Sequence, residues 1–390
     1  MKKLFLLVIV FLGTILLFAP NKAEASHASA GYITYQYLSP NTYQLTLHFY
    51  RDCTGVSEPG SATVQYNSSC GGGGSITLPK APGINGQPVE QSPCVPPVNT
   101  TCTGGSAYGV REWIYTGVVT LPIACADWTF SYSLCCRNPA TTLVGSGNFY
   151  IETTLNSVAA PTNTSPSFSN IGISQFCVGS PVIWNQFATD PDNDSLAYTL
   201  VCPQINAGTS VNFVPPRSCL SPISAAPAVN LNAVTGQMTF TPNAAQVAVL
   251  AVKVSEYRGG VLIGSVTRDM QVNMVSNCTV IPFDNAWLGF NNNWDDPINW
   301  CKGVPTLTTS AVVRSVGGPG YVSPIIKNNI VAEAKSLKIL NGDSVTINAS
   351  TNGSLTMADS LINDSKLIVK GSFFGSEKFG PGNLVASAQF

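Results

Sequence analysis

The chain has 390 residues, of which 44% are hydrophobic and only 10% are charged, and its formal net charge is −1. With no basic patch visible, it is not built to bind a nucleic-acid backbone, which needs Lys and Arg gathered on one face. The 34 Gly and 27 Pro punctuate many short β-branched runs, no amphipathic helix stands out, and the composition predicts an all-β protein.

Residues 1–25 read as a secretory signal. Lys2-Lys3 form the basic region, Leu4 to Phe18 the apolar run and Ala23-Glu24-Ala25 an A-x-A cleavage site. Gly13-Thr14 and Pro20 interrupt the run, which favours cleavage over a retained anchor. No Cys follows the cleavage site, so a lipoprotein anchor is not indicated. No later stretch approaches the roughly 18 apolar residues of a membrane helix. The mature chain is therefore expected to be secreted or at the cell surface, without a transmembrane span. Its 365 residues carry 16 basic and 19 acidic groups and suggest about three domains. All 12 Cys follow the signal, and in an exported chain they read as disulfides. No CxxC pair is present, so zinc-ribbon and redox readings lack their motif.

Residues 26–157 are expected to form a cysteine-rich β-sandwich. Tyr32–Tyr37 and Tyr43–Tyr50 alternate in polarity around a Ser39-Pro40-Asn41 turn, which predicts an opening hairpin. Further strands are expected at Glu112–Leu121, Trp128–Leu134 and Asn148–Leu155. Seven Cys (53, 70, 94, 102, 125, 135, 136) fall in this unit. One must pair outside it, and Cys177 is the nearest candidate. Adjacent Cys135 and Cys136 point to opposite faces if both lie in a strand, so they are expected to choose different partners. Arg51-Asp52 and Arg137-Asn138 read as structural pairing at a sandwich rim rather than as a site.

Several motifs here occur together: Ser26-His27-Ala28 with Gly31-Tyr32-Ile33-Thr34-Tyr35, Phe49-Tyr50-Arg51-Asp52-Cys53-Thr54-Gly55, Tyr115-Thr116-Gly117, Cys135-Cys136-Arg137-Asn138 and Tyr150-Ile151-Glu152. In these the unit resembles the N-terminal module of exported surface proteins of gliding-type Bacteroidetes. That resemblance implies a location more than an activity.

Residues 158–168 read as a polar, Pro-containing linker, and residues 169–278 as a second sandwich. Its most distinctive stretch is Asp190-Pro191-Asp192-Asn193-Asp194, three carboxylates at alternate positions in a turn that runs into the strand-like Ser195–Leu200. Such acids repel unless something offsets them, and a hard cation such as Ca²⁺ takes six to eight oxygens. A plain solvated loop is the alternative. The stretch is not an EF-hand, because Ser195 stands where that loop needs Gly and Val201 where it needs Glu. Gln186-Phe187-Ala188-Thr189-DPDNDSLAYTL, Val234–Pro242 and Ala251–Gly260 together resemble the cadherin-like and dystroglycan-type Ig-like domains. The resemblance implies a seven-strand sandwich and a structural Ca²⁺ held by Asp190, Asp192, Asp194 and a distant Glu256. Asn193 replaces the common Gly and Glu256 the common Asp. Cys202 and Cys219 flank a Pro-rich insertion and are expected to pair, a closure worth about 3 kcal/mol in the chain-entropy account.

Residues 279–390 change character. Trp287, Trp294 and Trp300 crowd within 14 positions. Such a cluster either stacks on sugars or caps the open end of a β stack. Apolar bursts at 336–339, 344–347, 354–357 and 366–369, separated by turn residues, suggest the strands of a β-solenoid, with an ordinary meander as the alternative. The block from Trp287 to Thr306 resembles the opening of secreted bacterial modules that lead into such repeats. No terminal cap or sorting domain is visible before Phe390, leaving a truncated chain or another export route as the two readings.

The expected architecture is thus all-β: two consecutive Ig-like β-sandwich domains followed by a β-solenoid-like C-terminal region. Catalytic signatures are missing. His27 and His48 are the only histidines, and there is no HExxH, GxSxG or phosphate-binding GxxxxGK[ST]. A glycosidase carboxylate pair could lie among Glu112, Asp127, Glu152 and Asp269, but nothing singles them out. The first functional expectation is a non-catalytic extracellular surface or adhesion protein whose middle domain calcium stiffens. Its partners would be cell-surface or matrix components, glycans or further copies of itself. The second is a carbohydrate-binding module or accessory domain of a secreted polysaccharide-active protein, with Trp287, Trp294 and Trp300 as its platform.

Overall fold

A computed structural model describes residues 28–83, 85–89, 99–168, 175–186, 188–276, 285–289, 291–301, 303–314, 322–327, 329–340, 342–348, 353–370 and 383–386. The expected signal at residues 1–25, Cys94, Phe187 and Cys278 lie outside the described residues. Within them the chain is all-β, with two short 3-10 turns and no helix long and apolar enough to cross a membrane.

The first strands are β1 (Ala28–Ser39), β2 (Thr42–Asp52), β3 (Ser61–Asn67), β4 (Gly74–Pro79), β5 (Gln87–Pro88), β6 (Val110–Thr120), β7 (Trp128–Cys135) and β8 (Asn148–Leu155). The β1–β2 hairpin turns at Pro40-Asn41, with Asn41 in the left-handed region that Asn tolerates. β9 (Ser167–Phe168), β10 (Gln175–Cys177), β11 (Val182–Asn185), β12 (Ala188–Thr189), β13 (Ser195–Val201), β14 (Gln204–Asn206), β15 (Thr209–Ser210), β16 (Asn230–Leu231) and β17 (Gln237–Phe240) precede two long strands, β18 (Gln246–Arg258) and β19 (Val261–Val275). Gly259 and Gly260, both at positive φ, make the two-residue turn that joins the long pair.

β19 joins the two expected sandwiches. Along one edge it pairs with β18 over its whole length, from Arg258↔Val261 to Gln246↔Met274. Along the other edge it pairs in turn with β8 (Gly264↔Leu155), β1 (Met270↔Ala30) and β10 (Asn273↔Gln175). Strands from both halves thus belong to one curled, 14-stranded sheet.

The sheet serves two cores. Ile33, Tyr35, Leu45, Leu47 and Phe49 pack with Val64, Trp128, Phe130 and Phe149. Ala30, Tyr32 and Tyr50 instead pack with Trp184, Met238, Phe240, Leu250 and Met270. Because successive strand residues face opposite ways, β1 is buried at every position from Ala28 to Ile33. Residues 158–168, expected to be a linker, are packed as well. Asn163 and Ser165 are buried, Ser165 Oγ accepts the Tyr35 amide, and the Ser165 amide donates to the Tyr35 carbonyl. The segment is exposed at Val158, Ala159, Pro161, Thr162 and Ser167, while its buried Ser165 hydrogen-bonds to β1.

The last strands are β20 (Asn285–Ala286), β21 (Ala311–Arg314), β22 (Ile325–Ile326), β23 (Val331–Leu340), β24 (Ser344–Asn348), β25 (Ser354–Asn363), β26 (Lys366–Lys370) and β27 (Asn383–Ala386). They form two four-stranded parallel sheets, β20-β21-β23-β25 and β22-β24-β26-β27. From β21 to β26 the chain alternates between the two. Val313, Leu337, Ile339 and Leu361 of one sheet and Ile326, Val345, Ile347 and Leu367 of the other share one core.

Disulfides join Cys53–Cys102, Cys70–Cys125 and Cys202–Cys219, and Cys177 and Cys301 are also disulfide-bonded. The expectation of separate partners for Cys135 and Cys136 is corrected, since they bond to each other. β7 ends at Cys135, so strand alternation no longer directs the Cys136 side chain.

Candidate cation site at the 190–194 turn

The turn is organised by its first acid. Asp190 Oδ1 accepts the amides of Asp192 (2.9 Å) and Asp194 (2.8 Å), closing an Asx turn. Asn193 sits at φ 63°, a conformation that Asn tolerates and that Gly would adopt freely. The chain then enters β13, whose register against β18 is Ser195↔Tyr257 and Leu196↔Glu256. That register sets Asp194 beside Arg258, which donates from Nε to Oδ1 (2.8 Å) and from Nη2 to Oδ2 (2.5 Å). These hydrogen bonds raise the Arg258 pKa further above its usual value.

Glu256 arrives from the other side. Ala248, Leu250, Val252 and Val254 share one face of β18 in the core, and the two-residue period carries Glu256 to the rim of that face. The residue is 0% exposed. Opposite it stands Gly264, where a Cβ would come within 2.9 Å of Glu256 Oε2 and 2.6 Å of the Tyr35 hydroxyl. The missing side chain makes room for the carboxylate. Oε2 accepts from Asn163 Nδ2 (2.8 Å), which also donates to the Tyr35 hydroxyl (3.0 Å).

Two carboxylate oxygens are left over. Glu256 Oε1 and Asp190 Oδ2 are buried without a hydrogen-bond partner. One oxygen each from Asp190, Asp194 and Glu256 lies within 4.8 Å of the others. Burial first, and then the neighbouring Asp190 carboxyl, push the Glu256 pKa up to about 9. Carboxylates gathered so closely need either a shared proton or a cation between them. The donor set is all oxygen and anionic, which suits a hard divalent ion, so these residues fit the Ca²⁺ expected from the sequence.

Three of the four expected ligands, Asp190, Asp194 and Glu256, are brought together. Asp192 is not in that group. Its Oδ2 accepts the Thr164 amide (2.9 Å) and approaches Arg258 Nη2 (3.4 Å), so it anchors the 158–168 segment to the turn. Asn163 and Arg258 were not singled out in the sequence. Arg258 lay within the quoted Ala251–Gly260 match, whereas nothing in a polar stretch marks Asn163 as the side chain that turns inward.

The other flagged residues lie elsewhere in the fold. Trp287, Trp294 and Trp300 are each 0% exposed. Trp300 lies edge-on to Trp287 and Trp294, at ring-centre distances of 5.0 and 4.7 Å. The sugar platform is therefore corrected to a core cluster, because wholly buried rings are closed to a ligand. His48 Nδ1 lies 2.8 Å from Glu112 Oε1, which also accepts from the Tyr50 hydroxyl. Burial works to raise the Glu112 pKa, but the His48 and Tyr50 hydrogen bonds bring it below its usual value. Asp269 is bound to Arg137. A second group of metal-type residues, Cys70, Cys125 and Asp127, has its two sulfurs joined in a disulfide.

Comparison with protein-family models, with curated proteins and with solved structures found no match.

Proposed function

We propose that the chain is a non-catalytic extracellular surface or adhesion protein of the Bacteroidetes type, stiffened by Ca²⁺ at the 190–194 turn. The observation that carries this reading is that two buried oxygens without a hydrogen-bond partner, Asp190 Oδ2 and Glu256 Oε1, belong to carboxylates gathered with that of Asp194. Each such oxygen costs about 1–3 kcal/mol while unpaired, and a divalent ion removes that cost for both. Bound there, the ion supplies positive charge and ties the turn to the rim of β18. Asn163 holds the Glu256 carboxylate from behind, and Asp192 secures the neighbouring 158–168 segment through the Thr164 amide.

Further support comes from the form of the chain. The disulfides suit an oxidising compartment. On this reading residues 28–275 are two Ig-like sandwiches fused through β19, and the parallel C-terminal sheets are a β-solenoid that extends them. Such a protein presents surface to cell-surface components, glycans or other copies of itself. The carbohydrate-accessory reading has no comparable support, since its three Trp are enclosed.

Thermal unfolding of the whole chain in CaCl₂ and in EDTA tests the proposal. A higher melting temperature in calcium is expected, abolished by Glu256→Gln. Identical curves in the two buffers would remove the calcium reading.

A further inference from the structure

The cation site already contains a positive charge. Both oxygens of Asp194 are held by the Arg258 fork at 2.8 and 2.5 Å. The same guanidinium donates to Asn163 Oδ1 (2.9 Å) and reaches Asp192 Oδ2 at 3.4 Å. Arg258 thus contacts two of the turn's acids as well as the amide that holds Glu256. It is 39% exposed, whereas Asp194 is 6% exposed, so the guanidinium covers the solvent side of this acid.

We infer that Arg258 is the affinity-determining residue of this site, a resident counter-cation that a divalent ion must displace from Asp194 or share it with. The inference rests on the calcium reading above. Its physical basis is direct. An ion between Asp190 Oδ2 and Glu256 Oε1 turns to Asp194 for its third carboxylate and finds those lone pairs already aimed at a group that cannot lose its proton. Sharing is geometrically possible, because a carboxylate offers about four lone-pair positions. The two positive charges then repel across a few ångströms of partly screened medium. The site is consequently tuned toward the weak end of calcium affinities, about 10⁻⁴–10⁻³ M, where extracellular modules operate.

Isothermal titration of the whole chain with CaCl₂ tests this, using wild type, Arg258→Gln, Arg258→Lys and Glu256→Gln, with near-UV circular dichroism to confirm folding. Arg258→Gln removes the charge and keeps a polar group for Asn163, and binding at least about tenfold tighter is expected. Arg258→Lys keeps a charge but cannot make the two-pronged contact, so it should fall between wild type and Arg258→Gln. Glu256→Gln should not bind. Equal or weaker binding by both folded Arg258 variants overturns the inference while leaving the calcium reading intact. Binding by Arg258→Gln but not by wild type supports the role of Arg258 as the resident counter-cation and removes calcium stiffening of the native chain. No binding by any variant at 10-millimolar-scale calcium removes both.

Discussion

Arg137, two residues beyond β7 and bridged to Ala28, and Asp269, in the middle of β19, form a two-pronged ion pair at 2.6 and 2.7 Å. Both side chains are 1% exposed. One residue comes from each half of the 28–275 sheet, and the pair sits where β19 enters between β8 and β1. Burial raises the Asp269 pKa and the Arg137 charge opposes that shift. The pair therefore persists as ions only while both members are present.

Removing one partner should leave a buried charge uncompensated. Arg137→Met is expected to cost about 3–5 kcal/mol of stability, read from urea unfolding of the whole chain. The two halves should still unfold together, because β19 is common to both. Two well-separated transitions in the wild type, each retaining one half, would show that the shared strand does not couple them.

Gly264 offers a more local test. A Cβ there would meet the Tyr35 hydroxyl at 2.6 Å, Glu256 Oε2 at 2.9 Å and the Thr154 carbonyl at 3.0 Å. The carbonyl belongs to the adjoining strand and cannot rotate away. Gly264→Ala should therefore lose about 1–3 kcal/mol and weaken any calcium-dependent rise in melting temperature. A variant as stable and as calcium-responsive as wild type would mean that the carboxylate does not need this space.

Much of the strand pattern was legible. Tyr32–Tyr37 and Tyr43–Tyr50 fall within β1 and β2, and the bursts at 336–339, 344–347, 354–357 and 366–369 fall within β23 to β26. Alternation is a local property and survives in the sequence. The shared sheet was not legible, because β1 and β19 meet across about 240 residues at Ala30↔Met270 and no local pattern records such a pairing. Asp190 and Asp194 were legible as alternating carboxylates in a turn, whereas Glu256 was found through a resemblance. Their geometry depends on the Leu196↔Glu256 register, which two alternating strands leave open. The Trp cluster was ambiguous for a different reason: sugar platforms and core clusters use the same residues, and only burial separates them.

The C-terminal core gives a third prediction. Trp300 is wholly enclosed, and its Nε1 donates to the Trp294 carbonyl at 2.7 Å. Trp300→Ala should cost about 3–5 kcal/mol in the parallel-sheet region, seen as early loss of protection in hydrogen exchange of residues 311–348. Glycan retention should not change at temperatures where the fold is intact. Selective loss of glycan binding from a fully folded variant would restore the sugar reading.

The buried carboxyl at Glu256 predicts an unusual pH dependence. Its folded pKa is about 9, whereas the unfolded side chain titrates near the ordinary value of about 4.3. Between these values the folded state holds a proton that the unfolded state has lost, so stability falls as pH rises. The contribution is fully present below about pH 4 and lost above about pH 9, with a slope of at most about 1.4 kcal/mol per pH unit for one proton. Glu256→Gln replaces the carboxyl with an amide that does not titrate and can still donate toward Asp190 Oδ2. In EDTA the variant should match wild type near pH 5 and become progressively more stable than it toward pH 8.5. Calcium takes the place of the shared proton, so saturating calcium should flatten the wild-type curve and reverse that order at high pH. Urea unfolding at half-unit steps of pH, in EDTA and in calcium, reads both effects. Parallel curves for the two proteins in EDTA would mean that Glu256 is already ionised in the folded state without a metal.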